Sequence, residues 1–245
     1  MCRTRKNSHQ AFSKKERDRQ RVERETSEMV AKVYGVAASP YVATVLVCLE
    51  EAGASYELVA VDMAAGENRS RHHLARSPFG KIPAFEDREV TLFESRAIQR
   101  YVLRKYNKPD LLREGNLEES AMVDMWMEVE AHHYDPAISH IIRECVIKPM
   151  IGGGARDQAI VDENVEKLRK VLEVYERRLS ESEYLAGDFV SVADLNHFPY
   201  TYYLMTTEYA TLVESCTNVK AWWERLLARP AVRKVAALFP PVTSA

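Results

Sequence analysis

The chain has 245 residues, of which 46% are hydrophobic and 29% charged, and its formal net charge of −2 gives no indication of nucleic-acid binding. It contains no run of 18 or more apolar residues, so a transmembrane helix is not expected. Its four cysteines (Cys2, Cys48, Cys145 and Cys216) lie far apart and form no CxxC pair, which argues against a zinc site or a disulfide framework and favours a reducing, cytoplasmic setting.

The first 28 residues differ in composition from the rest of the chain. They contain nine Lys or Arg, five Asp or Glu and almost no apolar residues. A secretory signal needs an apolar core, and a transit peptide is poorer in acidic residues, so we expect residues 1–28 to be a disordered basic extension. A tail that contacts acidic surfaces or directs targeting is an alternative.

Residues 29–107 alternate short apolar runs with helical patterns, which is typical of an α/β domain. The first helix is predicted to begin at Ser39-Pro40, because Pro suits the first helical position, and to end at Gly53. The predicted strands are Lys32–Val36, Tyr56–Val61, Ile82–Phe85 and Val90–Phe93, the last two around a turn at 86–88. The predicted helices are Tyr41–Ala52 and one that follows Ser95 and extends to Tyr106, and Gly66–Ala75 is helical or irregular. The order βαβαββα is that of a thioredoxin-like domain.

Residues 108–116 are polar and turn-rich, and we expect them to link this domain to an all-helical C-terminal domain at 117–245. The helical periodicity there is strongest in Asn116–Ile147 and Ile160–Leu179. Ser191 and Asp194 form a capping-box pattern, which we interpret as a folding determinant. The adjacent His132 and His133 point to different faces of a helix, so no metal site is predicted.

Ser77–Tyr106 is the most informative segment. Pro83 at the start of a strand leaves the backbone of Ile82 at a sheet edge, where a peptide can add as a further strand. Ser95 is placed to cap the following helix, whose N-terminus favours an anion, and Glu94 beside it can accept hydrogen bonds from an ammonium. One turn would then hold both charged ends of an amino acid. A simple hairpin followed by a capped helix is the alternative interpretation.

This segment resembles the glutathione-binding half of cytosolic glutathione transferases and is most similar to the plant phi class. The shared residues are Pro-Phe-Gly at 78–80, Ile-Pro-Ala-Phe at 82–85 and Phe-Glu-Ser-Arg-Ala-Ile at 93–98. Ser77 and Lys81 stand where the phi pattern has Asn and Gln. The resemblance begins near Val30 and covers nearly all of the chain that follows.

The resemblance implies that glutathione is the co-substrate and that no other cofactor is used. It implies that Ser39, in the Gly-x-x-x-Ser pattern that starts at Gly35, is catalytic and donates a hydrogen bond to the glutathione sulfur. A Ser before Pro is also a common helix N-cap, and the two roles are compatible. The implied glutathione-binding residues are Asn68, Arg69, Lys81, Ile82, Pro83, Glu94 and Ser95. Asn68-Arg69 replaces the usual His-Lys pair.

The second substrate is expected to be a hydrophobic electrophile that contacts Ala38, Met63 and Ile142. These residues are alternatively part of the core. The implied reaction is conjugation of glutathione, with reduction of hydroperoxides as a further activity. A non-catalytic carrier of apolar metabolites and an interaction module are the alternative functions, and only the basic extension favours the second. A homodimer is also implied, with its interface near Arg96–Tyr101 and Asn116–Ile147.

Overall fold

The structure, a computed structural model, describes residues 30–240, so the predicted extension at 1–28 lies outside the described residues. The first part of the structure contains a four-stranded sheet in the order β2-β1-β3-β4, in which β1 is parallel to β2 and antiparallel to β3. The elements are β1 (Ala31–Tyr34), α1 (Pro40–Glu51), β2 (Tyr56–Val59), α2 (Arg71–Arg76), β3 (Ala84–Asp87), β4 (Val90–Phe93) and α3 (Ser95–Lys105), with a 3-10 turn at Glu67–Arg69. The predicted thioredoxin-like order is confirmed.

The hairpin between β3 and β4 is tighter than predicted. Asp87 was expected in the turn but pairs with Val90 in the sheet. Its carboxylate is buried and accepts a hydrogen bond from the Tyr101 hydroxyl at 2.9 Å, and it also pairs with the Lys105 ammonium. These partners on α3 allow an acidic residue to end a strand, and they lie far beyond a local sequence window.

The second part of the structure is all-helical. Its helices are α4 (Leu117–Val129), α5 (Asp135–Ile142), α6 (Lys148–Met150), α7 (Gln158–Leu179), α8 (Val192–Asn196), α9 (Phe198–Leu204), α10 (Thr211–Glu214), α11 (Thr217–Leu227) and α12 (Pro230–Ala236).

Helices α4, α5 and α6 form one uninterrupted rod, as the pattern in Asn116–Ile147 predicted. Two π-helical segments, Glu130–Tyr134 and Arg143–Ile147, join them. Each π segment lies directly before a dipeptide that ends in proline, Asp135-Pro136 or Lys148-Pro149. Proline has no N–H to donate and its ring crowds the preceding turn, so a wider turn at this place lets the helix continue.

Helix α1 contacts both parts of the structure. Its residues from Val42 to Leu49 are all buried, as expected for a helix that is covered on every side. It packs against α3 within its own part and against α8, α9 and α12 of the helical part. At its end, Glu51 accepts two hydrogen bonds from the Arg229 guanidinium, at 2.6 and 2.7 Å. The helix that follows Ser39 is therefore held in place by packing along its length and by an ion pair at its end.

A buried polar group lies where α8 meets α9. His197 is fully buried, and its Nδ1 lies 2.8 Å from the Ala193 carbonyl, which can only accept a hydrogen bond. Its Nε2 lies 2.8 Å from the Tyr175 hydroxyl. Burial, which disfavours the charged ring, lowers the pKa of His197 to about 3, so the ring is neutral at pH 7. With the proton on Nδ1, which faces the carbonyl, Nε2 accepts a hydrogen bond from the Tyr175 hydroxyl.

We expect His197 to lower the free energy of unfolding as the pH decreases below about 6.5. The unfolded chain takes up a proton on His197 near pH 6.5 and the folded chain only near 3. The contribution of this residue is therefore complete above 6.5 and is lost toward 3, by up to about 1.4 kcal/mol per pH unit. The pKa of Glu130, which burial raises to about 7, acts in the opposite direction over the same range, so the effect of His197 is the difference in pH slope between the unchanged protein and His197→Asn. Urea unfolding between pH 7.5 and 4.5 measures this difference, and the exposed His133→Gln is expected to keep the slope of the unchanged protein. Equal slopes in all three proteins would contradict the assignment.

Candidate active site

A cleft of about 230 Å³ opens where the turn before β3, the start of α3 and the start of α5 meet. The residues that line it are Tyr41, Ser77, Lys81, Ile82, Pro83, Phe93, Glu94, Ser95, Arg96 and Asp135. Five of the seven predicted glutathione-binding residues are among them: Lys81, Ile82, Pro83, Glu94 and Ser95. The fold thus brings together the two halves of the motif that the sequence analysis singled out.

The turn that leads into β3 is fixed by side chains from α2 and its surroundings. The Ile82–Pro83 peptide bond is cis. The Lys81 carbonyl accepts a hydrogen bond from His73 Nε2 at 3.0 Å, and the Lys81 N–H donates to Ser77 Oγ at 3.3 Å. The backbone around Lys81 and Ile82 is consequently held in place at the cleft, which is the condition for pairing it with an extended ligand.

Asn68 and Arg69 lie beside the turn that carries Lys81 and contact its backbone. The buried Asn68 amide donates to the Gly80 carbonyl at 2.7 Å, and Arg69 Nη1 donates to the Phe79 carbonyl at 3.3 Å. Neither residue lines the cleft. Gly80 has a φ of +62°, and a Cβ added there would lie 3.0 Å from both Arg69 Nη1 and the Asn68 carbonyl oxygen. In this structure Asn68 and Arg69 hold the turn that carries Lys81 through these two hydrogen bonds.

The start of α3 forms the opposite wall of the cleft. Glu94, and not Ser95, is the N-cap residue, and Glu94 adopts a left-handed φ of +70°. The predicted capping by Ser95 is therefore wrong by one position, because this backbone turn places Ser95 within the helix as its first residue. Ser95 is buried and Glu94 exposed. The unpaired N–H groups of the first helical turn favour an anionic group here, and the Glu94 carboxylate favours a cationic one.

A charged cluster that the sequence analysis missed lies at the cleft, where Tyr41, Arg96 and Asp135 belong to the lining. Arg96 Nη2 is 2.6 Å from Glu130 Oε2 and 3.2 Å from Asp135 Oδ2, and the Tyr41 hydroxyl donates to Asp135 Oδ1 at 3.0 Å. Burial raises the pKa of Glu130 to about 7, although Arg96 opposes the shift. One guanidinium faces two carboxyl groups, so the cluster favours a cationic group in the cleft.

Ser39 is the N-cap residue of α1, but its side chain makes no capping hydrogen bond. The hydroxyl therefore does not cap the start of the helix, which was the alternative interpretation of this residue. Ser39 does not itself line the cleft; Tyr41, two residues later, does. The loop is close to the cleft nonetheless, because a Cβ added to Gly35 would lie 3.4 Å from Ile82 Cβ.

None of the residues predicted to contact a second substrate lines this cleft. Ala38 is half-buried in the loop that carries Ser39, and Met63 is 45% exposed outside the cleft. Ile142 is fully buried in the main core, so its prediction is wrong. Helical periodicity identifies an apolar face, but it does not distinguish a cleft-facing from a core-facing position.

Within residues 30–240, no three His, Cys, Asp or Glu side chains are grouped in a way that would hold a metal ion. None of the described helices combines the length and the apolar character that crossing a membrane requires.

Comparisons with known proteins place this arrangement in one family. The model described as "Glutathione S-transferase, N-terminal domain" matches residues 29–104, and the one described as "Glutathione S-transferase, C-terminal domain" matches residues 134–230. The chain is 62% identical to the "Probable glutathione S-transferase GSTF1" of Oryza sativa subsp. japonica over 212 residues, which cover 86% of this chain and 97% of the rice protein.

Solved structures agree with this similarity. Glutathione S-transferase I from mais, in complex with an atrazine glutathione conjugate, matches with a TM-score of 0.82 and 53% identity over 86% of this chain and 99% of that one. Glutathione transferase F7 from Populus trichocarpa matches with a TM-score of 0.83 and 50% identity over 86% of this chain and 100% of that one. The predicted phi-class resemblance is confirmed, and the chain belongs to the glutathione S-transferase family.

Proposed function

We propose that this transferase binds glutathione in the cleft at Ile82-Pro83 and ionises its thiol with the help of Ser39. The cysteinyl backbone pairs with Ile82, the γ-glutamyl group lies at Glu94-Ser95, and the glycyl carboxylate lies near Lys81. The observation that carries the proposal is the Ser39 hydroxyl, which makes no capping bond at the start of a helix beside the cleft.

The chemistry needs a thiolate, which a free thiol provides poorly. With a pKa near 8.5, only about 3% of a thiol is ionised at pH 7. A pKa lowered by about 2 units corresponds to about 2.7 kcal/mol of thiolate stabilisation. The N-terminus of α1 and one directed hydroxyl are groups of the kind that supply it. Ser39 acts as a hydrogen-bond donor and not as a base, because its own proton is held too tightly.

The electrophile we propose is a hydrophobic aryl halide. The maize protein named above was solved with a glutathione conjugate of atrazine, and this chain shares 53% of its residues in the aligned region. In the reaction the thiolate sulfur forms a bond to the halogen-bearing carbon, and the halide leaves with the bonding electron pair. Reduction of hydroperoxides is proposed as a second activity of the same thiolate. A purely non-catalytic carrier is not favoured, because relatives that are 62% and 57% identical to this chain are named as transferases.

We also propose that the protein is a homodimer in the cytoplasm, with residues 29–107 forming the glutathione-binding domain and 117–245 the helical domain. Two surface features support the dimer. The outer face of β4 and α3 carries a groove of about 740 Å³ that includes Leu92, Ala97 and Tyr101, and Phe79 is 64% exposed. A second copy would cover such apolar surface. The free state of Cys48, Cys145 and Cys216 supports a reducing compartment.

The full-length protein is expected to conjugate glutathione with aryl halides and to reduce organic hydroperoxides more slowly. A panel of both substrate types, with glutathione retention on an affinity resin, measures this. Light scattering of the same preparation is expected to give twice the chain mass of 28.0 kDa. Retention on the resin without turnover of any electrophile would indicate a carrier, and the absence of retention would contradict the binding site.

A further inference from the structure

The loop that carries Ser39 is held by a residue from the helical part of the chain. The Tyr203 hydroxyl, at the end of α9, donates a hydrogen bond to the Ala38 carbonyl at 2.8 Å across 165 positions of sequence. Burial raises the pKa of Tyr203 to about 12, so the phenol stays protonated and remains a donor at neutral pH. No feature of the glutathione cleft requires this bond, since neither residue lines it.

The bond acts on the orientation of Ser39 through a single peptide plane. The Ala38 carbonyl and the Ser39 N–H belong to the same planar unit, which has no internal rotation. The carbonyl end is bonded to Tyr203, and the N–H end donates to the Val36 carbonyl at 2.9 Å. Because the plane is held at both ends, the position of the Ser39 Cα is fixed, and with it the direction in which the side chain leaves the backbone.

Tyr203 is itself held firmly. It is 1% exposed, and its ring stacks on Phe239 with 5.0 Å between the ring centroids and 7° between the planes. Packing on this scale keeps a ring in one rotamer, so the hydroxyl cannot follow a displaced loop without disturbing the core. The helical part thus provides a fixed point against which the Ser39 loop is positioned.

We propose that Tyr203 is a positioning residue for Ser39, aligning its hydroxyl with the glutathione sulfur by holding the Ala38–Ser39 peptide. This rests on the proposed role of Ser39 as the donor to the thiolate. A bond that served only to join the two parts of the chain would change stability and leave the ionisation of the thiol untouched.

The test is Tyr203→Phe, which removes one oxygen and keeps the stacked ring. The expected loss in kcat near pH 6.5 is roughly three- to sixfold, because the loss of one net hydrogen bond raises the thiol pKa above about 6.5 and lowers the ionised fraction from about 50% to about 10 to 17%. KM for glutathione is expected to change less than about twofold, since the binding residues are unaffected. The apparent pKa of the bound thiol, followed by the ultraviolet absorbance of the thiolate, is expected to rise by about 0.7 to 1 unit.

Tyr202→Phe is the matched control, because Tyr202 lies next in the chain and also contacts Phe239. It is expected to leave kcat and the thiol pKa unchanged. In a Ser39→Ala background, Tyr203→Phe is expected to cause no further loss, because the group that it positions is absent.

The outcomes separate the two proposals. If Ser39→Ala leaves the thiol pKa unchanged, the role of Ser39 is wrong, and the positioning role is wrong with it. If Ser39→Ala raises that pKa but Tyr203→Phe lowers kcat by the same factor in both backgrounds, only the positioning role is wrong. Lower stability of Tyr203→Phe with an unchanged thiol pKa would likewise overturn it.

Discussion

Ser39→Ala is expected to lower kcat/KM with an aryl halide roughly 10- to 30-fold near pH 7. The estimate follows from the fraction of thiol that is ionised. If the protein lowers the thiol pKa from about 8.5 to about 6.5, most of the bound glutathione is thiolate at pH 7, and without that shift only about 3% is. The loss is at the lower end of this range if the N-terminus of α1, which remains in the variant, retains part of the lowering of the thiol pKa.

The dependence of this loss on pH makes the prediction specific. As the pH rises toward 9, the thiol of the variant ionises without help, so the two pH profiles are expected to converge. A general decrease at every pH would indicate that Ala disturbs binding or packing instead. The thiolate absorbance of the binary complex, titrated in both proteins, measures the same shift without turnover.

A second helix start provides the control. Ser39 makes no capping bond, whereas the Asn116 side chain accepts one from the Glu119 N–H at 3.1 Å. Asn116→Ala is therefore expected to lose about 1 kcal/mol of stability and to keep full turnover. Ser39→Ala is expected to show the reverse pattern, a loss of turnover with unchanged stability. If both variants lose stability and neither loses activity, Ser39 is a structural cap.

The features that the sequence predicted are those encoded by local chemistry. Pro83 and the Glu94-Ser95 pair lie within one continuous motif that resembles the phi-class pattern, and Ser39 follows a short strand at the spacing of that pattern. Each is fixed by its immediate neighbours, so a short window of sequence locates it. The order of strands and helices is readable for the same reason, because the apolar periodicity changes with each element.

The features that were missed depend on long-range packing. Arg96 meets Glu130 and Asp135 only because α3 lies against the long helical rod, 34 and 39 positions later in the chain. An arginine beside Glu-Ser and an Asp-Pro within a helical pattern were the available signals, but neither indicates its partner. Ile142 was assigned to a pocket for a related reason: its distance from the cleft is a property of the packed fold and not of its helix.

Asp194→Ala is expected to have the largest effect on stability. Asp194 is fully buried and accepts four hydrogen bonds, from the Leu185 N–H at 3.0 Å, the Ser191 N–H at 2.8 Å, the Ser191 hydroxyl at 2.9 Å and Trp222 Nε1 at 3.0 Å. The predicted capping box therefore extends to the loop at Leu185 and to Trp222 of α11. Removing the carboxylate leaves buried donors without a partner, which costs about 3 to 5 kcal/mol.

A loss of this size is a large share of the roughly 5 to 15 kcal/mol that stabilises a typical domain. We therefore expect the variant to unfold at a much lower urea concentration or to fail to accumulate as folded protein. The stability of Asp194→Asn is expected to lie between that of the unchanged protein and that of Asp194→Ala, because an amide keeps the shape and one accepting oxygen. Unfolding followed by far-ultraviolet circular dichroism is the suitable measurement, since Trp222 fluorescence would change with its lost hydrogen bond.

Asp157→Ala is the matched control, because Asp157 caps α7 from an exposed position and accepts from Ala159 and Ile160. In Asp157→Ala, water bonds to the two N–H groups that are freed, so a much smaller loss of stability is expected. All variants are compared at one protein concentration, since dimerisation would add a concentration-dependent term. If Asp194→Ala and Asp157→Ala shift the urea midpoint equally, the four buried bonds contribute no more than an ordinary cap. The junction of α8 with α11 would then be held by apolar packing alone.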